Sequence, residues 1–154
     1  MSDRISADTA EVQELFRSLL RRASDLTPIS SELGEIGLTD IQDHFEQGGY
    51  PAGSWKKLRK VTIAQRQKKN LWPGLILVRH GVAGGLLGAV NYRAFPGGVV
   101  WSANKPYARI HNDGGMAGRG RKVRIPKREY MLFSDEAIEE MMDAIAEWIV
   151  EGSD

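Results

Sequence analysis

Cysteine is absent from the chain, which excludes disulfides, thiol nucleophiles and thiolate metal sites and fits a reducing compartment. Long apolar runs are absent too, since none approaches the roughly 20 residues that a membrane-spanning helix needs. Residues 1–9 hold two acids and no apolar run, so they predict no signal peptide. The 154 residues therefore read as a soluble cytoplasmic protein without a membrane partner, folded as one domain over 1–154.

Acids are scarce in one region only. Between Gln47 and Arg128 the sole acid is Asp113, against seventeen lysines and arginines, whereas residues 1–46 and 129–154 hold nineteen acids and four bases. The net charge of +1 thus hides a cationic middle between two anionic ends. Such a field suits an anionic partner, a second copy docking its acidic ends on the basic middle, or acidic end helices neutralising the middle within one molecule. Arg119, Arg121, Lys122, Arg124, Lys127 and Arg128 place six bases in ten residues, a cluster able to meet phosphate or an acidic protein surface. No recognised nucleic-acid module or stripe of stacking aromatics accompanies it.

Catalytic and metal signatures are missing as well. His44, His80 and His111 stand far apart, with neither His-x-x-x-His nor His-Glu-x-x-His spacing. His111 near Asp113 suggests a carboxylate-held base, but Ser102 and Ser134 lack the Gly-x-Ser-x-Gly surroundings of a nucleophile. The plainer reading lets His111 and Asn112 hydrogen-bond backbone at the end of a short helix before Gly114. Gly81, Gly84 and Gly85 resemble a phosphate loop only superficially, because no Gly-Lys-Ser or Gly-Lys-Thr follows them. The expectation is a non-enzymatic protein with no metal and no cofactor.

What is present is a clear succession of elements. Val12, Leu15, Phe16, Leu19 and Leu20 give one apolar stripe to a helix over Asp8–Arg22, with Asp8 and Glu11 resembling a capping box. Thr27 as cap and Pro28 start a second helix to about Gln47, in which Gly34 and Gly37 predict a kink or break. Trp55 and Leu58 anchor the glycine-rich loop that follows, and Thr62 caps a basic helix over Ile63–Lys69. Strands are expected at Leu75–Val78, Leu86–Ala94 and Val99–Ala103, the last two joined by the Phe95–Gly98 turn, and a short one at Lys122–Pro126. Tyr107–Asn112 reads as a helical turn, residues 114–122 as a mobile basic loop, and Ser134 to about Glu151 as a capped helix with an acidic outer face. The fold class is α+β, with N-terminal helices and a long C-terminal helix packed on a small, mainly antiparallel sheet.

The order of several short motifs resembles the phage virion morphogenesis family, the tail-completion proteins of Mu-like and P2-like contractile-tailed phages and prophages. Phe45, the Gly-Pro-Gly loop to Trp55 and Leu58, and Thr62 come first. Tyr107-Ala108, His111, Gly114-Gly115, Ile125-Pro126-Lys127-Arg128 and a C-terminal helix follow, so that the match runs over residues 41–150. The pattern differs at Asn112, at Glu129-Tyr130 and over residues 79–82. The resemblance implies a structural protein of tail completion or head–tail joining, working as an oligomeric ring and present in the bacterial host cytoplasm during assembly and then in the virion tail or neck. It implies as partners further copies of the chain and other phage tail or neck proteins, with nonspecific contact to DNA. On this expectation Trp55, Leu58, Tyr107, His111, Ile125 and Pro126 hold the fold, and the segment 119–128 meets the partner. The alternative is a DNA-binding accessory protein using the same segment.

Overall fold

The computed structural model describes residues 9–79 and 85–152, and its spine is one unbroken helix, α2 (Thr27–Gln47). Leu26, not Thr27, occupies the N-cap position; the Thr27 amide instead donates to Asp25 Oδ1 at 2.9 Å. Gly48, at φ 73°, closes the other end and donates back to the His44 carbonyl, a left-handed terminus that favours glycine.

Gly34 and Gly37 do not kink this helix. They are notches for a hairpin made by β1 (Val90–Phe95) and β2 (Gly98–Ala103), paired antiparallel with Tyr92 opposite Trp101. A Cβ at Gly34 would overlap the Tyr92 ring, and one at Gly37 would sit 2.6 Å from Trp101 Cε2. Three residues of helix rise about 4.5 Å, matching the about 4.5–5.5 Å between facing Cβ atoms in an antiparallel pair. Two facing rings therefore seat in two glycines on one helix face. The Trp101 indole N–H donates to Gly34 O at 3.0 Å, and the Tyr92 hydroxyl to Glu35 Oε1 at 2.9 Å.

Other boundaries shift for local reasons. Leu75–Val78 is a turn and not a strand: Leu77 sits at φ 65°, and Ile76, Leu77 and Val78 pack half-buried on the core. Leu87–Ala89 is a 3-10 turn with Leu86 and Leu87 buried, so β1 begins only at Val90. The helix α3 (Lys60–Gln67) starts after Arg59, which leaves Thr62 in the first turn, its amide bonded to Arg59 O, and not at the cap. The anticipated bends at Gly81 and Gly84 and the side chain of His80 lie outside the described residues.

After α4 (Ala108–Asp113), the chain forms a second antiparallel pair, β3 (Gly115–Ala117) with β4 (Val123–Ile125). The segment read as a loop thus carries strand structure and a 3-10 turn at Arg119–Arg121. The α+β class stands, with the strands divided between two two-stranded sheets. Helix α5 (Asp135–Val150) begins as anticipated at Ser134, whose Oγ accepts from the Ala137 amide at 3.1 Å.

The main core gathers where α2, the Trp55 loop and Tyr130 meet. Phe45 is fully buried, edge-on to Trp55 with centroids 5.6 Å apart, and 5.1 Å from the Tyr130 ring. Each such side chain contributes about 1.5–3 kcal/mol on burial. The stripe on α1 (Thr9–Ser24) behaves differently. Leu19 is half-buried, but Val12, Leu15, Phe16 and Leu20 are 42–69% exposed. The expected packing of that stripe is absent among the described residues, and the contacts that tie α1 to α5 lie at its C-terminal end. There Arg22 Nη1 donates to Val150 O at 3.1 Å, and Trp148 Nε1 donates to Arg22 O at 3.3 Å. No helix among the described residues is long and apolar enough to cross a membrane.

Candidate interaction site

The basic middle folds into an open groove of about 1380 Å³ walled by the Trp55 loop, α3, α4 and the β3–β4 pair. Small-molecule pockets occupy about 300–1000 Å³ and bury their ligand, so this groove has the scale of a macromolecular contact. Lys56, Lys57, Arg59, Arg79, Arg124 and Lys127 line it together with apolar Val61, Tyr107, Met116 and Val123. The four apolar side chains are 42–62% exposed. A surface both cationic and apolar results.

Two guanidinium groups lie at the same groove almost out of solvent, Arg66 and Arg128, each 6% exposed. Arg66 Nη1 donates to Leu75 O at 2.8 Å, which fastens the 71–79 turn to α3. Arg128 donates through Nε and Nη2 to Lys56 O at 3.1 and 2.7 Å, which fastens the Trp55 loop to the end of β4. Neither has a carboxylate within ion-pair distance among the described residues. Burial holds both below the usual arginine value, with Arg79 adding to the effect at Arg66 and Arg66 at Arg128. A buried cation without a counter-ion is costly, so these charges favour any anion that reaches them.

The six bases of the 119–128 cluster divide accordingly. Arg119, Arg121, Lys122, Arg124 and Lys127 are exposed, whereas Arg128 is a buried tie. Lys127 is partly occupied, its Nζ lying 2.6 Å from Glu129 Oε2.

His111 and Asp113 do not form an acid–base pair. Asp113 accepts from Asn112 Nδ2 at 2.8 Å and from Arg109 Nε at 3.3 Å, and chiefly the Asn112 bond holds its carboxyl below the usual range. His111 Nδ1 is buried without a hydrogen-bond partner among the described residues. Burial and the Arg128 charge lower its pKa, favouring the neutral ring. Asn112 does bond backbone, its Oδ1 accepting from the Tyr130 and Met131 amides at 3.0 Å each.

The remaining family-motif residues gather around these ties. Tyr107 stands edge-on to His111 with centroids 5.9 Å apart, and the Arg128 amide donates to His111 O at 2.9 Å. Gly114, at φ 73°, lies where a Cβ would sit 2.8 Å from the Lys127 amide nitrogen, a close approach that favours glycine. Gly115 adjoins Ile110 and pairs with Ile125; Leu58, Ile125 and Pro126 are half-buried at the groove. Trp55 fastens residues 48–58 to Glu129 O through its indole N–H at 3.0 Å.

Ser134, set aside as a nucleophile, is held by Asp40. Its hydroxyl donates to Oδ1 at 2.5 Å, and its amide donates to Oδ2 at 2.9 Å. A second, acidic cleft lies beside this cap, lined by Glu35, Asp40, Asp43, Glu136 and Glu140. It shares no lining residue with the basic groove. Among the described residues no three acidic or histidine side chains gather to hold one metal ion.

Two residues central to this geometry carry little sequence signal. Tyr130 is 1% exposed, its hydroxyl donates to Ala108 O at 3.3 Å, and burial pushes its pKa up to about 12. Arg66 lies in a polar helix in which nothing marks it for burial. The one available hint is that Tyr130 is an isolated aromatic following a run of charge.

The sequence model of the phage virion morphogenesis family matches residues 7–150. The chain is also similar to the Mu-like prophage FluMu G protein 2 of Haemophilus influenzae, 28% identical over 138 residues that cover 90% of this chain and 88% of that protein. No solved structure matches it.

Proposed function

The chain belongs to the phage virion morphogenesis family, and we propose that this phage structural or assembly protein completes the tail or joins it to the head as a ring of identical subunits. The family match over residues 7–150 carries the reading. Residues 1–154 act in it as one unit. The charge layout supports the ring: a heterologous closed ring needs two different, complementary patches on every subunit. The basic groove and the carboxylate-bearing outer face of α5 are such a pair. Exposed Arg119, Arg121, Lys122 and Arg124 then face a neighbouring subunit, another tail or neck protein, or DNA passing through the ring.

Deleting the gene from a phage that carries it tests this reading. Filled heads and separate tails should accumulate, with the wild-type gene restoring joined particles and an R119E/R121E/R124E triple variant failing to do so. Undiminished joined particles after deletion refute the reading. The exposed cations also favour a DNA-binding accessory role. That reading requires the purified protein to bind duplex DNA with log K falling by about 0.9 per phosphate contact for each decade of salt.

A further inference from the structure

Beyond the groove, the outer side of α5 is a second surface without a partner among the described residues. Ile138, Met142 and Val150 are 44%, 64% and 68% exposed. They fall at multiples of four residues, and Ala146 completes the row, so they form one ridge along the helix. Asp135, Glu139, Asp143 and Glu147 flank the ridge, and no basic residue occurs from Ser134 to Glu151. This is an apolar strip edged with carboxylates.

The groove is its counterpart. Its exposed Val61, Tyr107, Met116 and Val123 are edged by lysines and arginines, and behind them stand Arg66 and Arg128, without counter-ions among the described residues. We propose that the outer ridge of α5 from a second copy of this chain lies in the groove, Ile138 and Met142 against the apolar wall and the flanking carboxylates against the cationic rim. The proposal rests on the ring reading above and names the two surfaces that would build it. DNA matches the cations but offers nothing to the aliphatic side chains, whereas α5 supplies both, as an amphipathic helix does in a receptor groove. The contact is heterologous: each subunit gives a ridge to one neighbour and a groove to the other.

The absence of cysteine makes the test direct. Met116→Cys marks the groove and Met142→Cys the ridge, both at exposed positions, and a short bis-maleimide links thiols that come together. The chain carrying both changes should yield a ladder of dimers, trimers and higher species. Chains carrying one change each should give only dimers, and only when mixed. Adding E139K and D143K should reduce the ladder by about tenfold or more, and R124E with K127E in the same chain should restore it.

Equal linking of the Met142→Cys chain to itself indicates a symmetric contact and overturns the proposal. So does the absence of linking at high protein concentration. Light scattering separates that failure from failure of the ring, because a discrete oligomer without the ridge–groove link means that a ring forms through other surfaces. If a short duplex binds with salt dependence, protects the Met116→Cys thiol and leaves no protein–protein ladder, the groove belongs to DNA and the proposal falls.

Discussion

Replacing Gly34 by alanine separates two forces that act in opposite directions on α2. Helix propensity alone favours alanine over glycine by about 1 kcal/mol. The structure predicts the opposite sign, because the new methyl would overlap Cδ2 and Cε2 of Tyr92 and sit 2.8 Å from its Cγ. The ring has little freedom to retreat. Its hydroxyl is bonded to Glu35, on the same helix, and its backbone pairs with that of Trp101, itself bonded to Gly34 O. Overpacking of this kind costs about 1–3 kcal/mol. With two ring carbons overlapped, the upper part of that range applies, so the net loss should be about 2 kcal/mol. At a urea slope of about 1–3 kcal/mol per molar, the unfolding midpoint should fall by about 1 M with the slope unchanged. In a Tyr92→Ala background the same change should be neutral or raise the midpoint, since the clash is gone and only propensity remains. A Gly34→Ala protein with a higher midpoint in the otherwise native chain would refute the notch.

Three further outcomes follow from single ties. Ser134→Ala removes the α5 cap and the hydroxyl held by Asp40 and should cost about 1–2 kcal/mol in urea unfolding. Asn112→Ala strips the Tyr130 and Met131 amides of their shared acceptor and should cost roughly 2 kcal/mol or more, measured in the same way. His111 has a folded pKa below its ordinary 6.5, so the unfolded chain takes up its proton first as pH falls. Its contribution is therefore complete above about pH 6.5 and declines below it toward the folded value. His111→Gln should flatten the fall of the urea midpoint between pH 7 and 5. Asp25 and Asp113, both lowered from 3.8, titrate below that window.

The legible parts of the fold were those in which one local signal had one cause. The α5 cap could be read because Ser134 precedes two acids and a periodic apolar stripe, a pattern that only a helix start produces. Gly34 and Gly37 were ambiguous because a glycine that breaks a helix and one that admits a ring look alike until the ring's position is known. Leu75–Val78 misled for a related reason, since a four-residue apolar run fits a strand or a buried turn equally well. The stripe on α1 gave the helix correctly and its covering incorrectly, because periodicity shows which face is apolar and not what lies against it. At the site, sequence found the cluster of charge but not the burial of Arg66 and Arg128. Arginine is ordinarily exposed, and only the carbonyls of Leu75 and Lys56, brought in by the fold, draw these two inside.

The buried cations and exposed apolar ridges bear on when the subunit is stable. An isolated copy keeps the guanidinium groups of Arg66 and Arg128 without counter-ions among the described residues and leaves the ridge of α5 in water. On the proposed contact one neighbour would cover the groove and another the ridge, each binding the folded chain and not the unfolded one, and assembly would then add to folding stability by mass action. Once the protein is well above the dissociation constant of the contact, each tenfold rise in concentration should add up to about 1.4 kcal/mol per contact. Thermal unfolding should therefore shift upward with protein concentration, and the E139K/D143K chain should lose that dependence while keeping the midpoint of the dilute native protein. An unfolding temperature that is independent of concentration over several decades, in protein shown to assemble, would mean that the subunit is complete on its own and that the groove gains nothing from a second copy.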